Sequence, residues 1–487
     1  MVGPIARRLF GGFVEHMGRG VYGGIFEPEH PAADDQGLRT DVIDLVRELG
    51  MTTFRYPGGN FVSGFRWEDA VGPAGSRPTR LNLAWHSTET NEFGLHEFAG
   101  WLEKVGGDLM LAVNLGTRGV LEAVDLVEYA NIAGGTELSD RRKANGATSP
   151  FGVRMWCLGN EMDGPWQLGH GSADDYGKIA SQAAKAMRQL DPGLELVVCG
   201  SSGSWMPTFG DWERTVLRHT YDDVDYISCH AYYEEGEGDL GSFLASAANM
   251  DAFIETIAGI VDEIRAELGS DRTVAISFDE WNIWYQKGMV LPQGDDWPTA
   301  PALSENDYTV ADAVVVGDLL MSLLRHADRV TSASLAQVVN VIAPIGAQPG
   351  GPAWRKSTFF PFAITSRLAR GASLQVELDS PTYSSAVHGT VNTVEAAASF
   401  DEQQGALAVF LVNRSLSESI RVSVGVDGFG VSRILEATSL ADADPHAANT
   451  AEDRDRVQPR VNTSASLADG ELSVILPPVS WTALSLG

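Results

Sequence analysis

Short, continuously apolar runs alternate with longer stretches of helical period over the first 370 residues. The runs are Phe13–Met17, Thr52–Tyr56, Leu109–Leu115, Val153–Leu158, Glu195–Cys199, Asp225–Ala231, Thr273–Asp279 and Ser334–Val341. Between them the 3.6-residue period predicts helices over Asp41–Leu49, Glu92–Val105, Val120–Ile132, Ala173–Leu190, Trp212–His219, Leu240–Leu268 and Asp307–His326, with Ser357–Ala369 after the last run. Asp191-Pro192-Gly193 stops one helix, since proline cannot extend it and glycine suits its C-terminal cap. A run that is apolar at every position, not at alternate ones, reads as a strand buried on both faces, hence a parallel sheet covered by helices. Eight such units in series favour a closed (β/α)8 barrel of the TIM type over an open doubly wound α/β sheet.

Past Gly371 the helical period disappears. Alternating segments at Leu374–Leu378, Thr393–Ser399, Leu407–Val412, Ile420–Val426 and Leu472–Leu476 are separated by Gly, Asp, Pro and Ser, the pattern of an antiparallel β-sandwich. The expected organisation is therefore a barrel over 1–370 and a C-terminal β-sandwich over 371–487, with Met1–Phe10 a candidate addition to the sandwich. The acidic, proline-containing stretch Asp442–Val457 is expected to be a solvated excursion.

Composition narrows the function. The chain's 35 Lys+Arg against 65 Asp+Glu give a net charge of −30, whose field repels phosphate and argues against nucleic acid or an anionic membrane as partner. No stretch reaches the ~18 uninterrupted apolar residues of a spanning helix. The opening residues lack the apolar core of a signal peptide. Three cysteines, Cys157, Cys199 and Cys229, each lie inside an apolar run. Too few for a disulfide framework, they fit a reducing compartment, so a cytoplasmic location is expected.

In a barrel of this kind, chemistry sits on the loops that leave the C-terminal ends of the strands. Those ends carry Glu15-His16, Arg55-Tyr56-Pro57-Gly58-Gly59-Asn60, Asn114-Leu115-Gly116, Gly159-Asn160-Glu161, His230-Ala231-Tyr232-Tyr233, Asp279-Glu280-Trp281-Asn282 with Trp284 beyond, and Gln337 with Asn340. The strand starts show no comparable density of polar groups. Glu161 and Glu280 each follow an apolar run directly, on strands four and seven, which a barrel sets on opposite sides of one mouth. Two carboxyls across a polar cleft, one protonated and one ionised, are what glycosidic cleavage needs. A structural ion pair with arginine is the bland alternative.

Other motifs carry less. Gly18-Arg19-Gly20-Val21-Tyr22-Gly23 matches the dinucleotide pattern but runs into Glu27-Pro28-Glu29-His30-Pro31 where that pattern should open a helix. Neither a nucleotide nor any other cofactor is implied. His16, His86, His96 and His230 show no metal-ligand spacing, so no metal site is expected. Ser201-Ser202-Gly203-Ser204 lacks the surroundings of a nucleophile elbow. Trp85, Trp281 and Trp284 read as core, although Trp85 sits among polar loop residues, where a sugar-stacking platform is a rival reading.

Taken in order, the strand-end motifs resemble glycoside hydrolase family 51, the intracellular-type α-L-arabinofuranosidases. The stretches that carry the likeness are Phe13–Arg19, Tyr22–Ile25, Arg55–Gly64, Cys157–Asp163, Ser228–Tyr233, Phe278–Asn282, Ala336–Ile342 and the closing Pro477–Ser480. The resemblance implies a barrel plus a sandwich, often assembled as a hexamer, which releases terminal arabinofuranosyl units from arabinan- or arabinoxylan-derived oligosaccharides with retention. Glu161 would be the acid/base and Glu280 the nucleophile. Glu15, Asn60, Asn160, Tyr232, Gln337 and His230 would hold the sugar, with Trp85 and Trp284 lining its pocket. His96 departs from the acidic residue expected there, and Gln286–Glu305 lies in a stretch where the family varies. Rival readings are another furanosidase, β-xylosidase or endo-glucanase specificity on the same scaffold, a non-catalytic sugar-binding protein, and a nucleotide-dependent oxidoreductase.

Overall fold

A computed structural model describes residues 1–487. The eight barrel strands are β1 Gly11–Phe13, β2 Thr53–Tyr56, β3 Asp108–Ala112, β4 Met155–Cys157, β5 Glu195–Val198, β6 Tyr226–Tyr233, β7 Ala275–Ile283 and β8 Val330–Ala336. They pair in chain order, all parallel, and β8 closes on β1. Most of the helices between them match the period of the sequence, Ala173–Leu190 to the residue. Leu240–Leu268 divides into Leu240–Leu244 and Ala247–Leu268, and a further helix, Glu137–Ala144, follows Val120–Asn131.

Two strands lie upstream of their expected places. The first is Gly11–Phe13, not Phe13–Met17, because here the barrel needs two glycines: a Cβ on Gly11 would stand 2.4 Å from the carbonyl oxygen of Ala333 on β8. The last is Val330–Ala336, not Ser334–Val341; its serines and threonine hid it from a search for apolar residues. In both cases the residues beyond the strand form the loop over the barrel mouth.

Downstream, one sheet runs in the order Gly3–Pro4, Ala372–Leu374, Val394–Asp401, Ala406–Asn413, Ser480–Leu486, Ile434–Leu440, Arg460–Val461. A smaller sheet of Ile420–Gly425, Glu471–Leu476 and Ser466–Ala468 packs against it through Val409, Leu411, Leu472, Val474 and Leu476. The other face of the large sheet lies on the barrel. Every residue from Val310 to Leu324 of the helix Val310–Arg325 is buried, and Trp481 presses on Gly317, where a Cβ would lie 2.2 Å from its indole. Arg414 of the sandwich reaches Asp318 of that helix at 3.1 Å, both out of solvent. The stretch Asp442–Val457 is a solvated excursion only in part: Glu452–Arg456 are exposed, whereas its earlier half is tied to the barrel. Pro445 and Ala447 accept the first backbone N–H groups of the helix, and Asn449 is fully buried. Its acidic side chains made it look like a loop tip, while its backbone carbonyls cap a helix.

Candidate active site

Glu161 and Glu280 meet over the C-terminal ends of the strands. They form a cluster with His230 in which one ligand-type atom from each residue lies within 4.8 Å of the others. Both carboxyls are mostly closed off, at 8% and 5% exposure. Glu161 leaves β4 through Gly159, at φ +94°, and itself has φ +44°, a left-handed conformation that a side-chain-bearing residue seldom adopts. Such strain collects at functional sites. It turns the carboxyl back over the barrel, where Oε2 accepts from Trp166 Nε1 at 2.7 Å and Oε1 lies 2.9 Å from His230 Nδ1.

Glu280 is placed by an irregularity in β7. Side chains of consecutive strand residues normally point to opposite faces, yet Asp279 and Glu280 both reach His230, Asp279 Oδ1 at 3.0 Å from Nε2 and Glu280 Oε2 at 3.6 Å from Nδ1. The register of β7 shifts between Ser277 and Glu280 against β6, and between Phe278 and Trp281 against β8. A bulge of this kind re-aims side chains next to active sites. The two oxygens of Glu280 are then held separately: Oε1 accepts from Arg55 Nη1 at 2.7 Å and Oε2 from the Tyr232 hydroxyl at 2.7 Å. The other arm of Arg55 donates to Asn160 Oδ1 at 2.6 Å, so one buried guanidinium spans the two sides of the mouth.

Electrostatics follow from this packing. Burial disfavours charge on His230, but Glu280, Asp279 and Glu161 outweigh it and push the imidazole up to about 10. As an imidazolium it donates from both nitrogens, to Glu161 on one side and Asp279 on the other. Glu15 is buried in the loop after β1. Loss of solvent and the charge of Glu280 push its carboxyl up to about 8, against the pull of Phe61 N–H, Trp85 Nε1–H and Arg55. The first two donate to Oε1 at 2.8 and 3.0 Å. Glycines make room for this crowding. A Cβ on Gly58 would meet Glu15 Cγ at 2.4 Å, and one on Gly59 would meet Glu280 Oε1 at 2.9 Å.

The residues singled out from sequence converge here to different degrees. Asn160 points its amide toward Asn60 Oδ1 at 3.5 Å. Trp85 and Trp284, 6.5 Å apart, form an apolar wall with Tyr232, Met17 and Leu303. Gln337 turns its carbonyl oxygen to Glu15 N–H at 3.2 Å and its amide toward Met17 Sδ, bracing the loop that carries Glu15. Trp281 is fully buried core. His16 is a satisfied core histidine between Glu89 and the Tyr56 hydroxyl, each at 2.8 Å, and His96 bonds the Tyr129 hydroxyl at 2.7 Å. Arg55 and Asp279 stand among the strand-end residues of the sequence but carried no assigned role, and Trp166 was not singled out at all. A charge set inside an apolar run was the available signal for the first two, since buried charges must be paired. Trp166 sits in a loop without period and gave none.

A closed parallel barrel with two carboxyls facing each other above its strand ends is the arrangement of a barrel glycoside hydrolase. Comparison with known proteins sharpens this. The family model for the alpha-L-arabinofuranosidase 1 domain matches residues 45–238, and that for the alpha-L-arabinofuranosidase C-terminal domain matches residues 279–480. An exo-α-(1→6)-L-arabinofuranosidase of Bifidobacterium longum is 57% identical over 99% of this chain and 95% of its own length. An intracellular exo-α-(1→5)-L-arabinofuranosidase of Streptomyces lividans is 55% identical over 99% of this chain and 73% of its own. Among solved structures, a family 51 α-L-arabinofuranosidase from B. longum superposes with a TM-score of 0.97 at 46% identity, covering 100% of this chain and 97% of that one. The chain belongs to the family 51 α-L-arabinofuranosidases.

Proposed function

We propose that this chain is a retaining, exo-acting α-L-arabinofuranosidase in which Glu280 is the nucleophile and Glu161 the acid/base. The observation that carries the reading is the close approach of the two carboxyls, with atoms of Glu161 and Glu280 within 4.8 Å. Retaining enzymes hold them about 5–5.5 Å apart, whereas inverting ones leave about 6.5–9.5 Å for a water molecule. Both oxygens of Glu280 are clamped by Arg55 and Tyr232, which aims the carboxylate at the anomeric carbon of a sugar seated against Trp85 and Trp284. Glu161, on the opposite wall, protonates the leaving oxygen. Formation of the glycosyl ester removes the charge of Glu280, the largest attraction holding the proton on His230. Glu161 then takes a proton from the incoming water, serving as acid and afterwards as base. Asn160 and a protonated Glu15 bond the sugar hydroxyls, Glu15 able both to give and to accept a hydrogen bond while it keeps its proton.

The substrates are terminal arabinofuranosyl units on neutral oligosaccharides; relatives named for 1→5 and 1→6 linkages stand at 55% and 57% identity, and a panel of linked disaccharides distinguishes the two preferences. An intracellular site of action fits the names of several relatives. The homo-oligomer implied by the family likeness is checked by sedimentation velocity. Glu280→Ala should abolish turnover. Glu161→Ala should slow natural oligosaccharides by roughly 10²–10⁴ while sparing aryl arabinofuranosides, whose leaving groups need little protonation. Proton NMR of the first sugar formed should show the α-anomer. Release of the β-anomer, or full aryl turnover by Glu280→Ala, would remove the assignment.

A further inference from the structure

Beyond the acid/base, two tryptophans stand out in water. Trp166 is 43% exposed and Trp205 69% exposed, and their rings lie 5.9 Å apart, tilted by 32°. Large apolar side chains left this open need a reason when they occur as a pair. The local structure holds them there. Trp166 follows β4 and Trp205 follows β5, and the two loops are tied by buried Asp163, which accepts from Ser202 N–H at 3.0 Å and from the Ser202 hydroxyl at 2.8 Å. Each indole also packs closely against a glycine of its own loop. A Cβ on Gly164 would stand 2.5 Å from Trp166, and one on Gly203 2.3 Å from Trp205. The inner indole bonds Glu161 Oε2, so the pair runs outward from the group that protonates the departing oxygen.

We propose that Trp205, set beside Trp166, is the floor of a second leaving-side subsite, which binds the sugar unit two places beyond the bond that is cleaved. The inference rests on the functional reading above, since it takes Glu161 as the acid and so fixes which side the leaving chain occupies. An exposed indole offers a sugar ring a flat apolar surface to cover, with no charge to desolvate. A ring spacing of 5.9 Å is on the scale of one pentose unit, so successive sugars meet successive indoles. The first leaving unit touches Trp166 whatever the chain length. Only chains of three or more units reach Trp205, and the enzyme therefore selects for length on the departing side without being an endo-enzyme.

The test is kcat/KM for an aryl α-L-arabinofuranoside, α-1,5-arabinobiose and α-1,5-arabinotriose, with wild type, Trp205→Ala and Gly203→Ala. Wild type should favour the triose over the biose. Trp205→Ala should cut the triose-to-biose ratio roughly tenfold, mostly through KM, the size expected when one well-placed tryptophan is truncated. Gly203→Ala keeps the tryptophan but forces its ring off the loop, and should lower the same ratio. An unchanged ratio in both variants overturns the subsite and leaves the functional reading standing. So does a change in sedimentation coefficient with the ratio kept, because the indole would then be a contact between copies of the chain. Absence of turnover on all three substrates by wild type brings down the functional reading and this inference together.

Discussion

Glu15 carries a titration that can be read from outside the site. Its carboxyl titrates near 8 in the fold, because burial and Glu280 disfavour its charge, against 4.5 in the unfolded chain. Between those values the unfolded chain has released the proton and the fold still holds it, so stability falls as pH rises from about 4.5 to 8. Below that window Glu15 has no effect, and above it the loss is complete. Asp312, at the start of the helix Val310–Arg325, behaves in the same sense over a lower window, pushed up to about 6 by burial. Glu15→Gln removes the titration and keeps an oxygen that accepts from Phe61 N–H and Trp85. The urea midpoint of the variant should therefore gain on wild type steadily from pH 5 to pH 8. A constant difference across that range would place the Glu15 pKa outside it.

The loop after β2 shows how an element, and not a single side chain, sets the site. Arg55 near the end of β2 and Gly58, Gly59 and Asn60 in the loop that follows act together: the arginine supplies the guanidinium for Glu280 and Asn160, and the glycines leave space for Glu15 and Glu280. Gly59→Ala adds one methyl group 2.9 Å from Glu280 Oε1 and 3.4 Å from Asn160 Nδ2, at φ −86° and ψ −103°, a ψ outside the α and β ranges that side-chain-bearing residues favour. Both the backbone and the carboxylate resist it. Turnover of the folded variant should fall about 100-fold, the effect of displacing a reacting group by roughly an ångström, and backbone strain of about 1–3 kcal/mol should lower the unfolding midpoint. A folded variant with wild-type turnover would show that the turn is only scaffold. This turn also marks what could be read from the sequence alone. Six of the eight strands announced themselves near their observed places, because a strand buried on both faces reads as an apolar run, and Glu161 and Glu280 stood out at the ends of two of them; Val330–Ala336, with its serines and threonine, was read too far downstream. Gly11-Gly12 did not read as strand, since what the barrel needs there is the absence of a side chain. Glu137–Ala144 escaped because it is polar on nearly every side and has no stripe to detect. The joint presence of Asp279 and Glu280 depends on a shift in strand register, and the Trp166–Trp205 pair on two loops meeting in space. Neither leaves a period in the sequence.

The sandwich bears on the molecule through one helix. Val310–Arg325 is apolar or small around most of its circumference, and a helix of that kind must be covered on every side. The barrel covers one face; Trp481, Phe410 and Val412, from the large sheet, join the same core from the other. The first strand of that sheet, Gly3–Pro4, comes from the other end of the chain, so both termini are bound into one layer. Asp318 in the helix is matched by Arg414 across the interface, and losing one member of a buried pair is worth about 3–5 kcal/mol. A chain ending at residue 370 would therefore expose an apolar helix face, strand the carboxylate of Asp318 and leave Gly3–Pro4 without its neighbour. It should fail to accumulate in soluble form, although every residue proposed for catalysis is present. Trp481→Ala in the full chain isolates the packing part: it should lower stability by about 3–5 kcal/mol, as expected for a large buried aromatic, with kcat/KM on an aryl arabinofuranoside nearly unchanged because the mutation lies at the barrel's outer wall. A soluble, active 1–370 fragment would mean that the barrel closes its own core and that the sandwich serves something other than stability.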